Sequence, residues 1–262
     1  MDQKPAGANA KHRGLKLTGA FALAAVFLVV VGFTAWATIG VYQPDDDAIA
    51  AVRADDRVSL TEVDGSWVLS PTGESNGMGV VMLPGAKVDP LAYAPTFVDV
   101  AASGTTVVIP HLAFNLAFLD VRGVSDFAAV APDAFHWAVA GHSLGGVRAC
   151  MLANEATPLV LLGSYCATDL SGSDVAVLSL AGSKDGLSTP AKVSEARALL
   201  PSDAEMVVID GANHTSFGAY GPQSGDGVAT IPVAEVHADV AADIREFLGR
   251  IEWPRDTSWE RQ

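Results

Sequence analysis

Eight short apolar, β-branched runs, most of them separated by helix-like stretches, constrain this chain more than any other feature. They are VSLTEV (58–63), SWVLS (66–70), MGVVML (78–83), TTVVI (105–109), HWAVAG (136–141), PLVLLG (158–163), VAVLSLAG (175–182) and AEMVVID (204–210). Only Asp64-Gly65 separates the first two, which is a two-residue hairpin signal. Helix-like stretches follow at 89–103, 119–131, 144–155, 190–200 and 233–251. The last of these puts Val233, Val236, Val240, Ile244, Phe247, Leu248 and Ile251 at helical spacing. Strands apolar nearly throughout are buried on both faces, and helical connections between them make a mostly parallel sheet. The pattern predicts one α/β domain over 58–251, built on an eight-stranded mostly parallel sheet with helices on both faces, and a C-terminal tail at 252–262.

Half of the residues are hydrophobic, and the excess lies near the N-terminus, where Leu17 to Pro44 contains no charged residue. About 20 such residues in a helix cover the ~30 Å hydrocarbon core of a bilayer. Lys4, Lys11, Arg13 and Lys16 precede the run and Asp45, Asp46 and Asp47 follow it. Basic flanks stay on the cytoplasmic side. The expectation is a cytoplasmic N-terminus (1–16), a transmembrane signal-anchor (17–42), a solvated linker (43–57) and an extracytoplasmic domain. The alternative is a secreted domain released by cleavage near Ala37, since Ala35-Trp36-Ala37 has the small-x-small pattern of a signal peptide. A net charge of −14 argues against a nucleic-acid partner, which needs clustered Lys and Arg to neutralise phosphates.

Gly-x-Ser-x-Gly occurs twice, around Ser75 and around Ser143. The first match sits between two strands in a polar stretch, where a turn is expected. The second is preceded by the strand HWAVAG and followed by the helix-like GGVRACMLANEA. A strand, a tight turn and a helix in succession expose a serine oxygen above a parallel sheet. The backbone N–H of Leu144, at the helix start, can face an oxyanion. A serine hydroxyl needs an imidazole base, oriented in turn by a third group, and on such an elbow the acid and then the histidine follow along the chain. Among six histidines, His214 in VVIDGANHTSFG lies just beyond the last strand and is the candidate base. Asp185 in GSKDG is the candidate acid, with Asp169 as the alternative and Asp210 read as a turn or cap. The loop LPGAK after MGVVML supplies the second oxyanion donor, assigned to the N–H of Ala86.

Together LPGAKVDPLAYAP, AGHSLGG, GSKDG, GANH and FGAYGPQSGDG give the chain a resemblance to the α/β-hydrolase superfamily over roughly residues 50–250. It is most similar to the compact, cap-poor, dienelactone-hydrolase-like members, the alpha/beta hydrolase fold-5 family. The resemblance implies a serine hydrolase of carboxylic esters or thioesters, with an acyl-enzyme on Ser143 and no cofactor or metal. Relatives often read Gly-Gly-Lys where this chain has Gly85-Ala86-Lys87, and true dienelactone hydrolases use cysteine where it has Ser143. The short connection between 158–163 and 175–182, residues 164–174, leaves no room for the lid that larger relatives insert, so small or exposed acyl groups are the expected partners. An acyltransferase on the same triad and a non-catalytic surface binding module are the rival readings. In this fold Cys150 and Cys166 fall on neighbouring elements, and export would permit a disulfide between them. The GDG of 225–227 is expected to be a turn.

Overall fold

The computed structural model describes residues 7–253, with side chains from residue 23 onward. Residues 1–6 and 254–262, and with them most of the expected C-terminal tail, lie outside the described residues. The chain divides into two compact units, Met1–Gly40 and Val41–Gln262.

In the first unit one helix, α1 (Gly7–Thr38), runs through the uncharged segment. Its apolar side chains from Leu23 to Val31 are exposed. Among the described residues no helix is long and apolar enough to cross a membrane; residues 17–22 contribute backbone only.

The second unit opens on α2 (Asp46–Ala54), where a solvated linker was expected. The Asp45 side chain accepts the Ala48 N–H at 2.8 Å, and Asp46 and Asp47 lie in the first turn, where negative charge favours a helix. Ile49 and Val52, three residues apart, are buried. The acidic run is therefore a helix start, and residues 46–54 belong to the folded unit.

The sheet comprises β1 (Val58–Val63), β2 (Ser66–Pro71), β3 (Met78–Leu83), β4 (Thr106–Pro110), β5 (His136–His142), β6 (Leu159–Leu162), β7 (Val177–Gly182) and β8 (Glu205–Ile209). Its order is β1-β2-β4-β3-β5-β6-β7-β8. β1 pairs antiparallel with β2, and β2 antiparallel with β4; every later pair is parallel. Asp64 and Gly65 both take positive φ, as a two-residue hairpin turn requires.

Of the connections, α3 (Ala94–Ala102), α5 (Leu144–Leu152), α6 (Pro190–Ala196) and α7 (Val233–Arg250) match the helix-like stretches. The stretch at 119–131 is helical only in the five-residue α4 (Val124–Ala128). Gly123 is extended at its start, and Pro132 disfavours helix at the residue before it. Apolar content there reports burial, of Phe127 above all, rather than helix.

Successive residues of a strand face opposite sides. Val80 and Met82 of β3 pack with Phe97 and Val100 of α3 and Val236, Val240 and Ile244 of α7. Val81 and Leu83 turn to the other layer, with Ala149 of α5 and Phe127. Each large side chain so buried stabilises the fold by roughly 1.5–3 kcal/mol. The register pairs Leu83 with Gly141, His142 with Leu162, Leu162 with Leu180 and Gly182 with Ile209. The loops after β3, β5, β6, β7 and β8 consequently open at one edge.

Candidate active site

Ser143 follows β5 at that edge and precedes α5. Its backbone sits at φ 53°, ψ −123°, a region in which a residue with a Cβ is strained by about 1–3 kcal/mol. The surroundings hold it there. The Ser143 N–H donates to Leu162 O at 3.2 Å, and its carbonyl accepts the Ser164 hydroxyl at 2.6 Å and the Gly146 N–H at 3.0 Å. A methyl at Gly145 would overlap the carbonyls of Leu83 and Pro84, so the helix closes onto the sheet only because that position is glycine.

His214 begins a 3-10 turn after β8 and is almost wholly buried. Its Nδ1 lies 2.8 Å from Asp185 Oδ2, which comes from the loop after β7. A carboxylate only accepts, so the proton is on Nδ1 and Nε2 is left as an acceptor. Nε2 is buried with no hydrogen-bond partner. Asp185 Oδ1 is held by the N–H groups of Leu187 and Ser188 at 2.8 and 2.7 Å, which fix the carboxylate in place. Asp169 is exposed and caps its own turn through Ser171, while Asp210 accepts the Ser183 hydroxyl at 2.8 Å. Neither of these carboxylates is brought to His214.

The loop after β3 meets the elbow from the side, where a methyl on Gly85 would stand 3.5 Å from Ser143 Cβ. The Gly85 N–H is occupied by Tyr93 Oη at 2.9 Å. The next N–H, of Ala86, and that of Leu144 at the start of α5 have no acceptor among the described residues. The arrangement holds a strained serine, an oriented imidazole and two free amide donors at one edge of the sheet.

The model of the Alpha/beta hydrolase family matches residues 79–238, more than half of the chain. The chain belongs to the alpha/beta hydrolase family. No curated protein matches the sequence. Among solved structures the chain is similar to a dienelactone hydrolase from Anabaena variabilis, at 16% identity and a TM-score of 0.53, covering 74% of this chain and 98% of that one. It is also similar to a predicted CIB-like hydrolase from Thermoplasma acidophilum, at 13% identity and a TM-score of 0.51, covering 72% and 97%. At such identities the likeness is one of fold.

Two features of this family member escape a reading of the sequence. Asp226, in the GDG segment read only as a turn, accepts the N–H groups of His214 and Gly186 on Oδ1 and of Thr215 on Oδ2, at 3.0, 3.1 and 3.0 Å. One carboxylate thereby clamps the Asp185 loop to the His214 loop. A methyl at Gly227 would overlap Lys184 O, which shows how closely the two loops meet. Tyr93, buried at the end of the 3-10 turn Pro90–Tyr93, holds Gly85. The first lies in the GDG segment and the second in LPGAKVDPLAYAP, and neither motif announces the role of the side chain within it. Cys150 of α5 and Cys166 beyond β6 form a disulfide, closing a separation of 16 residues behind the elbow. Such a loop closure is worth ~3 kcal/mol in the chain-entropy account. The described residues contain no cluster of three or more His, Cys, Asp or Glu side chains that could hold a metal ion.

Proposed function

We propose that this protein is a serine hydrolase of carboxylic esters or thioesters. The single observation that carries the reading is the buried His214, held through Nδ1 by Asp185 and with Nε2 unpartnered, at the edge where Ser143 is strained. Ser143 Oγ attacks the acyl carbonyl as its proton passes to His214 Nε2. The oxyanion is received by the N–H groups of Ala86 and Leu144, each such donor contributing roughly 3–4 kcal/mol in the transition state. His214 then protonates the leaving alcohol or thiol, and water activated by the same imidazole releases the acyl group. Asp185 holds the Nδ1–H tautomer and stabilises the imidazolium.

Only 14 residues connect β6 and β7, too few for a lid, which favours small or exposed acyl groups and hydrolysis over transfer. The exposed apolar side chains of α1, behind a basic N-terminal flank, support an N-terminal membrane anchor with the hydrolase domain outside.

The test is steady-state and burst kinetics of the full chain on p-nitrophenyl esters of increasing acyl length and on the matching thioesters. The reading expects turnover that falls with chain length, and a covalent acyl adduct in intact-mass spectra. Added alcohol that diverts most of the acyl group from water would make the enzyme a transferase. A folded protein with no turnover on any member would favour the binding module.

A further inference from the structure

We propose that Tyr93 and His142 are positioning residues that tie the oxyanion loop to the catalytic base through one chain of hydrogen bonds; the proposal rests on the roles given above to Ser143, His214 and Ala86. His142 is the last residue of β5, next to Ser143, and is completely buried, as is Tyr93. His142 Nε2 lies 3.1 Å from the carbonyl oxygen of His214, and His142 Nδ1 lies 2.9 Å from Tyr93 Oη. Tyr93 Oη in turn accepts the Gly85 N–H at 2.9 Å.

The acceptor at the end of this chain fixes every proton along it. A carbonyl cannot donate, so His142 Nε2 carries the hydrogen. In a neutral imidazole Nδ1 is then an acceptor, and the Tyr93 hydroxyl donates to it. That leaves the Tyr93 oxygen as acceptor for Gly85. The direction runs from Gly85 through Tyr93 and His142 to His214. Burial, and then the nearby His214 whose ring centroid is 4.4 Å away, hold the His142 imidazole well below its ordinary pKa of 6.5. It therefore stays neutral while His214 gains and loses its proton.

An apolar side chain could fill the same core space without the cost of burying two ring nitrogens and a hydroxyl. What the polar chain adds is a fixed relation between three backbone pieces. Gly85 is pinned, which aims the following Ala86 N–H. The His214 carbonyl is pinned, while its ring is held by Asp185 and its N–H by Asp226. His142 is peptide-bonded to the nucleophile between them. A displacement of about 1 Å among such parts costs on the order of 100-fold in rate.

The experiment compares Tyr93→Phe, His142→Gln and the double variant with the wild-type full chain, reading kcat and KM on a small ester and Ki for a trifluoromethyl ketone. Glutamine keeps a donor for His214 O, and its amide oxygen sits one bond farther from the backbone than Nδ1, out of place for the Tyr93 hydroxyl. Each single variant is expected to lose roughly 10- to 100-fold in kcat with little change in KM. Ketone affinity should fall by the same factor, and the double variant should be no worse than the poorer single one. Folded variants whose ketone affinity and kcat stay within two-fold of wild type would overturn the proposal. If the variants do not fold, nitrogen-15 spectra of the wild-type histidines decide. A neutral Nε2–H tautomer for His142, unchanged from pH 5 to 8, supports the relay; an Nδ1–H or charged ring refutes it. Wild-type protein that shows this tautomer yet is never acylated would defeat the hydrolase reading and leave the hydrogen-bond chain standing.

Discussion

The two Gly-x-Ser-x-Gly segments differ in which edge of the sheet they occupy. Ser143 follows the carboxyl end of β5 and is forced to φ 53°, with His214, Asp185 and the 84–87 loop brought to the same edge. Ser75 precedes β3, at the amino edge, and its hydroxyl accepts the Gly77 N–H at 3.1 Å as an ordinary turn does. Asn76 continues that turn, accepting the Met78 N–H at 2.9 Å. Identical spacing of glycines thus yields a strained elbow in one place and a relaxed loop in the other. The difference comes from what each loop is packed against. At the first glycine of each segment, a methyl on Gly141 would overlap the backbone of Gly145 and Gly146, whereas one on Gly73 would meet nothing within 4 Å.

The contrast should be broken most strongly by exchanging the serines for alanine. Ser143→Ala is expected to lower kcat/KM on a p-nitrophenyl ester by about 10^4-fold or more, and Ser75→Ala to leave it within two-fold. Next come the glycines. Gly145→Ala has no room and should cost about 3 kcal/mol or more, whereas Gly73→Ala should stay within about 0.5 kcal/mol. Urea midpoints measure both. Among carboxylates, Asp226→Ala unclamps the acid and base loops and should lower kcat by roughly 10- to 100-fold, the loss expected when supporting geometry loosens. Asp210→Ala, which loses only a bond to Ser183, serves as the kinetic control and should keep kcat within two-fold.

The smallest effect distinguishes the two ends of β5. Burial lowers the pKa of both His136 at the amino end and His142 at the carboxyl end, and His142 by far the more. A histidine kept neutral in the folded state contributes no pH dependence above its unfolded pKa of about 6.5. As the pH falls below that, the unfolded chain binds a proton the folded chain refuses, and stability drops by up to about 1.4 kcal/mol per pH unit. Stability against urea between pH 6.5 and 5 should therefore lose slope in His142→Gln and much less in His136→Gln. Equal slopes in both variants would show that the two ends of β5 are alike in this respect.

The sheet is legible in the sequence because the parallel strands β3 to β7, buried on both faces, are apolar nearly throughout, and hydrophobic runs mark all eight strands to within two residues, even the edge strand β8, whose Met206 and Val208 are exposed. Helices are less legible where composition reflects burial alone, as at 119–131, and where charge disguises a helix start, as at Asp45–Asp47. At the candidate site, Ser143, Asp185 and His214 are legible as candidates because each follows a recognisable strand in a fixed chain order. Asp226 is not legible, because its partners are backbone groups, Gly186 forty residues away among them; Tyr93 is not legible because it joins the Gly85 N–H, eight residues away, to the His142 ring, forty-nine residues away. A side chain that works through backbone N–H groups leaves no partner residue type for a pattern to match.

The most direct test of the central claim is a fluorophosphonate probe applied to the full chain, with the modified peptide located by mass spectrometry. The account predicts a single adduct on Ser143, absent from Ser143→Ala and His214→Ala and retained in Ser75→Ala. A folded protein that takes up no probe, or one labelled on Ser75, would contradict it.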